Sequence, residues 1–94
     1  MYLLNVSYTS PAEEVAKHKE THSTWVKKHF DNGDFIFAGP KKSLTGGVIL
    51  VRSMDKKCLM KILSEDSFVQ ADVAEYQIVD FDPKLVNKNI ELIA

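Results

Sequence analysis

The chain has 94 residues, 45% hydrophobic and 27% charged, with a formal net charge of -1. That is one domain with a single core, small enough to gain from a partner subunit. The lysine pairs Lys27–Lys28, Lys41–Lys42 and Lys56–Lys57 are scattered and read as solvated surface, which leaves no basic stripe with interleaved aromatics and argues against nucleic-acid binding.

Tyr2 to Tyr8 is rich in aromatic and aliphatic residues and reads as a strand. The opening MYLLNVSYTSP has no basic segment, and its apolar run is too short for a signal peptide or a membrane span. The lone Cys58 cannot form an internal disulfide, which suits a reducing compartment. The expectation is a cytoplasmic protein without a membrane partner.

Ser10-Pro11-Ala12-Glu13 is a helix start: Ser10 can cap, Pro11 suits the first helical position, and Glu13 completes a capping box. One helix is expected to run to about Asn32, with Gly33 as the left-handed residue that ends it. Its apolar stripe is Val15, Val26 and Phe30, with Trp25 at the edge. At about 100° per residue, His22 falls roughly 20° from Val15 and about 40° from Val26, within that stripe. A titratable ring placed there must hydrogen-bond to something buried or line a cavity.

Phe35 to Ala38 is a short strand stopped by Gly39-Pro40, Lys41 to Gly47 a loop, and Val48 to Arg52 a β-branched third strand. Ser53 or Asp55 can cap a second helix, Lys56 to about Glu65, with Leu59, Ile62 and Leu63 on its apolar face. Asp66-Ser67-Phe68 breaks it, and Val69 to Ala74 is a short connector that could hold one helical turn. Glu75 to Phe81 alternates as a fourth strand, ended by Asp82-Pro83. Residues 1–83 form the expected domain; 84–94 form a C-terminal extension, in which Asn89 to Ile93 could be a fifth, edge strand.

The order β-α-β-β-α-β is that of a ferredoxin-like α+β fold, a four-stranded antiparallel sheet with two helices on one face. The other face would be apolar and open in a single chain, so a homodimer with two sheets face to face is expected.

Asp66 stands at the expected C-terminus of the second helix, where the helix dipole disfavours a carboxylate. In this fold the two helices are neighbours, so Asp66 could meet His22 and orient its ring. The plainer alternative is that Asp66 only begins a turn.

Four stretches in their order and spacing resemble the YciI-like (YCII-related) family: the MY-plus-strand opening, Lys19-Glu20-Thr21-His22-Ser23-Thr24-Trp25, Phe37-Ala38-Gly39-Pro40, and Glu65 to Val73. The resemblance implies a dimeric α/β barrel and an active site centred on a pair carried here by His22 and Asp66. Three positions depart from the family pattern. Ser67 stands where relatives usually have Pro, Gly47 where they often carry a hydroxyl that Thr45 or Ser43 could replace, and Lys19 where they tend to have Arg. Lys19 could still meet an anion as a point charge.

His18 and His22 are one turn apart, a spacing that can chelate zinc, but no HExxH surrounds them and coincidence on a charged helix is the simpler reading. His29 is accounted for by the helix dipole, and Cys58 in the second helix reads as a small buried residue. Gly46-Gly47 lacks the rest of a phosphate-binding loop. Trp25 and Tyr8 read as core or interface residues that could wall a pocket.

Three functions follow. The first is a cofactor- and metal-independent lyase or isomerase using His22 and Asp66 for proton transfer on a small organic substrate, with Lys19, Trp25 and Thr45 as binding residues and an anionic substrate if Lys19 meets it. The second is a non-catalytic ligand-binding or sensing module on the same scaffold. The third is a structural dimer.

Overall fold

The computed structural model describes residues 1–87. The expected edge strand Asn89 to Ile93 lies outside the described residues. The elements are β1 (Tyr2–Tyr8), α1 (Ala12–Ala16), α2 (Lys19–Asp31), β2 (Phe35–Pro40), β3 (Gly46–Val51), α3 (Lys56–Ser64), α4 (Ser67–Gln70) and β4 (Ala74–Asp80). All strand pairings are antiparallel, in the order β2-β3-β1-β4. This is the expected ferredoxin-like arrangement.

Alternation along β1 sends Tyr2, Leu4 and Val6 into the core, where Trp25, Phe35, Ile49, Val51, Leu59 and Leu63 meet them. A second cluster of Val15, Phe68 and Val73 lies under α4. By strand register the opposite sheet face carries a row formed by Val79, Leu3 and Leu50, with Phe37 paired to Leu50 at the β2 edge. Val79 and Phe37 are each about half exposed.

Four local readings are corrected. The first concerns the long helix, which is interrupted at Lys17–His18. Pro11 precedes it without a side-chain cap, so Ser10 makes none of the expected capping contact. On an unbroken helix Val15 and Trp25 would lie about 80° apart. The interruption lets Val15 enter the cluster under α4 while Trp25 enters the main core. The buried face of α2 then centres on Trp25 and His29, not on Val26 and Phe30. His22 sits at the edge of that face, and Phe30 is 53% exposed.

The second correction is that β2 does not stop at Gly39-Pro40, because Gly39 and Pro40 pair with Val48 and Gly47. β2 is an edge strand, so the missing proline N–H costs no ladder bond. β3 correspondingly begins at Gly46, inside the expected loop. Only glycine fits there, since a Cβ on Gly46 would stand 1.8 Å from the Val6 carbonyl oxygen.

The third is His29, which does more than complement a helix end. It is buried, with Nδ1 2.8 Å from Asp34 Oδ2 and Nε2 2.9 Å from Glu65 Oε1. Only a ring with a proton on each nitrogen satisfies both contacts. Arg52 also reaches Asp34, at 3.0 Å. The cluster ties the end of α2 to residues flanking β2, β3 and α3. The fourth is Cys58 on α3, expected to be buried and in fact exposed.

Burial opposes charge on Asp34, but bonds from His29 and Arg52 outweigh it and hold its carboxyl below the ordinary 3.8. The bond from His29, opposed by partial burial and aided by Lys28, lowers Glu65 from 4.5. Groups with lowered folded values contribute stability above their unfolded values and lose it as pH falls through the folded ones. Stability should therefore decline as pH drops below about 4.5, the top of the ordinary carboxylate range. Asp34 dominates, because Glu65 is more exposed and better screened. Denaturant titrations across that range should show a flatter decline for Asp34→Asn than for wild type.

Candidate active site

The first turn of α2 and the start of α4 meet beside β1 and β4, and the site forms there. Asp66 directly follows the C-cap of α3, its amide bonded to the Leu63 carbonyl, as expected, but it also has a second place. It is the N-cap of α4, and its Oδ1 accepts the Phe68 amide at 3.2 Å. A carboxylate at a helix N-terminus is favoured, so the cap of α4 offsets the unfavourable end of α3 beside it, a role the sequence reading did not assign.

Asp66 is fully buried. His22 Nδ1 lies 2.6 Å from its Oδ1, and the Tyr76 hydroxyl donates to its Oδ2. A carboxylate that already accepts from Phe68 and Tyr76 is an acceptor toward the imidazole too, so the proton of the neutral ring sits on Nδ1. Nε2 is then the nitrogen with a free lone pair, and no described residue bonds to it. The ring is held flat on Phe68, with centroids 3.9 Å apart and planes 9° apart.

Ser67, in the place of the family proline, opens α4 and donates its hydroxyl to the His18 carbonyl at 3.1 Å. That carbonyl also accepts the His22 amide. One side chain therefore ties the start of α4 to the break between α1 and α2, which fixes where His22 and Asp66 meet.

His22 forms part of the wall of a cleft of about 650 Å³ between α2 and the β1–β3 ends. Val6, Val26, Phe30 and Ile49 supply apolar wall, and Tyr8, Lys19, Lys27 and His22 the titratable groups; no carboxylate among the described residues lines it. Lys27 pairs with Asp31. Lys19 Nζ lies 5.9 Å from the centre of the Tyr8 ring and has no carboxylate partner among the described residues.

Two expected binding residues are placed elsewhere. Trp25 stands behind His22, with its indole N–H donating to the Ile62 carbonyl at 3.0 Å, and belongs to the core. Thr45 has its hydroxyl 2.7 Å from that of Ser43, and neither residue lines the cleft. The sequence reading passed over Tyr76. Its signal was the β4 alternation, which puts a tyrosine on the inward row where its hydroxyl needs a partner. Among the described residues, no group of three His, Cys, Asp or Glu is placed to hold a metal ion. No helix among them is long and apolar enough to cross a membrane.

Fold and site together define a ferredoxin-like α+β domain with a hydrogen-bonded histidine–aspartate pair whose histidine lines a cleft. The chain belongs to the family of the YCII-related domain, whose family model matches residues 1–82. No curated protein matches it. Among solved structures it is similar to 5-chloro-2-hydroxyhydroquinone dehydrochlorinase (TftG) from Burkholderia phenoliruptrix AC1100, in complex with 2,5-dihydroxybenzoquinone. The TM-score is 0.69 at 13% identity, over 87% of this chain and 94% of that one. At that identity the likeness is one of fold.

Proposed function

We propose that the chain is a cofactor-independent lyase or isomerase in which His22 Nε2 takes a proton from a small organic acid bound in the cleft and returns it later in the cycle. The observation that carries this is the 2.6 Å bond between His22 Nδ1 and buried Asp66, which leaves Nε2 without a partner among the described residues on a side chain that lines the cleft. Asp66 fixes the tautomer and stabilises the imidazolium formed when Nε2 accepts the proton.

The cleft's charge supports an anionic ligand. It presents cations and, among the described residues, no carboxylate, in a chain with 13 acidic residues against 12 basic ones. Lys19 meets the anionic group. The apolar wall of Val26, Phe30 and Ile49 suits a ring or a short aliphatic body. The dehydrochlorinase of similar fold, solved with a hydroxylated quinone, makes hydroxylated quinones and hydroquinones the first compounds to try.

The test titrates 2,5-dihydroxybenzoquinone and a panel of hydroxylated hydroquinones into the protein and follows their absorbance. Binding that Lys19→Ala weakens, with turnover that His22→Asn abolishes, is the expected result. Absence of binding across the panel would overturn the quinone assignment.

A second reading has one observation in its favour. Thr45 and Ser43 bond to each other away from the cleft, so the loop contributes no hydroxyl where Gly47 stands. Binding without turnover would identify a ligand-binding module.

The row of Phe37, Leu50, Leu3 and Val79 is the proposed contact of a homodimer, two sheets packing through these faces. Light scattering at micromolar concentration should give twice the mass of 10.6 kDa, and a single-chain mass would exclude the dimer.

A further inference from the structure

Three donors converge on Asp66, unevenly. His22 and the Phe68 amide both address Oδ1, at 2.6 and 3.2 Å. Among the described residues, Oδ2 has a single donor, the Tyr76 hydroxyl. Tyr76 stands on β4 opposite Val6 of β1, on the row with Ala74 and Ile78 that packs against the main core. Its backbone is thus held by the sheet, while α2 and α4 hold the other two donors.

We propose that Tyr76 is a positioning residue whose hydroxyl sets how tightly the His22–Asp66 pair holds its proton. The inference rests on His22 as the proton carrier and adds a third member to that site. A hydrogen bond to one carboxylate oxygen draws negative charge toward that oxygen. With Tyr76 on Oδ2, less charge faces the imidazole from Oδ1. The imidazolium is then stabilised enough to form during proton transfer, yet not so strongly that it keeps the proton.

Removing the hydroxyl concentrates charge on the oxygen that faces His22 and strengthens the pair's hold on its proton. The groups around the pair are His22 from α2, the Phe68 amide from α4, Tyr76 from β4, and Tyr8 from β1, with Lys19 at the cleft. Tyr76 alone among them is a neutral donor to the carboxylate from the sheet side.

The tyrosine also suits the role chemically. Burial, then the bond and the charge of Asp66, raise its hydroxyl far above the ordinary 10.0. It therefore stays a donor at every working pH, and cannot itself serve as base or nucleophile.

The test is an NMR pH titration of the three histidine rings in wild type and Tyr76→Phe, without ligand. The midpoint of His22 should rise by about half a pH unit or more in the variant, the scale of one lost hydrogen bond to an ionised group. His18 and His29 serve as internal controls and should keep theirs. An unchanged His22, or three rings moving together, would overturn the proposal.

A second measurement needs no variant. The Tyr76 hydroxyl proton in wild type should give a downfield, slowly exchanging signal, and its absence would equally overturn the assignment. Because both readings are made without substrate, they are independent of turnover. A shifted His22 in a protein that converts no substrate supports the Tyr76 role and removes only the enzyme reading.

Discussion

Asp66→Ala should cost the fold about 3 kcal/mol, composed of one lost helix cap and two stranded donors. The cap of α4 is worth about 1 kcal/mol. The part-buried Tyr76 hydroxyl and the His22 Nδ1–H each lose their acceptor, at about 1–3 kcal/mol apiece before relaxation. Relief of the carboxylate's own desolvation offsets part of the sum. Asp66→Asn keeps the size and a capping oxygen, so it should lose less than the alanine variant. Urea unfolding of the three proteins measures the series. An alanine variant within about 1 kcal/mol of wild type would mean that water takes over the carboxylate's bonds, and the site would not be the tightly held pair described above.

His22→Asn should do the reverse: little to stability, much to turnover. His22 lies at the edge of the buried face, with 18% of its side chain exposed. Shortening it opens space toward the cleft, which water can fill, rather than a sealed cavity. Asp66 keeps its bonds from Tyr76 and the Phe68 amide. The expected stability change is within about 1 kcal/mol, well below the 2–5 of a sealed aliphatic core truncation. Loss of a positioned base should lower turnover roughly 10²–10⁴-fold. The two readouts separate the possible roles. A large loss of stability marks a core histidine, while unchanged turnover of a confirmed substrate removes His22 from the chemistry.

The pairing of His22 with Asp66 was legible as one alternative from two facts that a sequence carries, and became the expectation only through the family resemblance. One is the element order, from apolar periodicity and turn residues. The other is the adjacency of the two helices that this order imposes. The environment of Asp66 was less legible. A helix that ends at Ser64 and another that starts at Ser67 read in sequence as one helix followed by a break and a connector, so the place of Asp66 beside the end of the first was seen and its cap on the second was not.

Trp25 and Thr45 show the same limit for ligand contacts. Whether an aromatic ring at the edge of a stripe faces core or cleft depends on the rotation of the helix, and that is decided by what packs against it. Here α2 turns to bury Trp25 and His29. The β2–β3 hairpin likewise sends Thr45 to Ser43 and away from the cleft.

By itself the sequence determined the strand order, the antiparallel sheet and the glycine that ends α2, since these follow from periodicity, turn chemistry and chain connectivity; it offered the partnership of His22 with Asp66 only as one alternative, which the family resemblance favoured. Tertiary structure alone decided the break at Lys17–His18, where no proline or glycine stands. The bond from Ser67 to the His18 carbonyl and the separate seats of Val15 and Trp25 accompany it. It also decided the bond from Tyr76 to Asp66 and the seat of His29 between Asp34 and Glu65. Each of these joins residues distant in the chain or on different elements, and their strength comes from burial that exists only once the helices lie on the sheet.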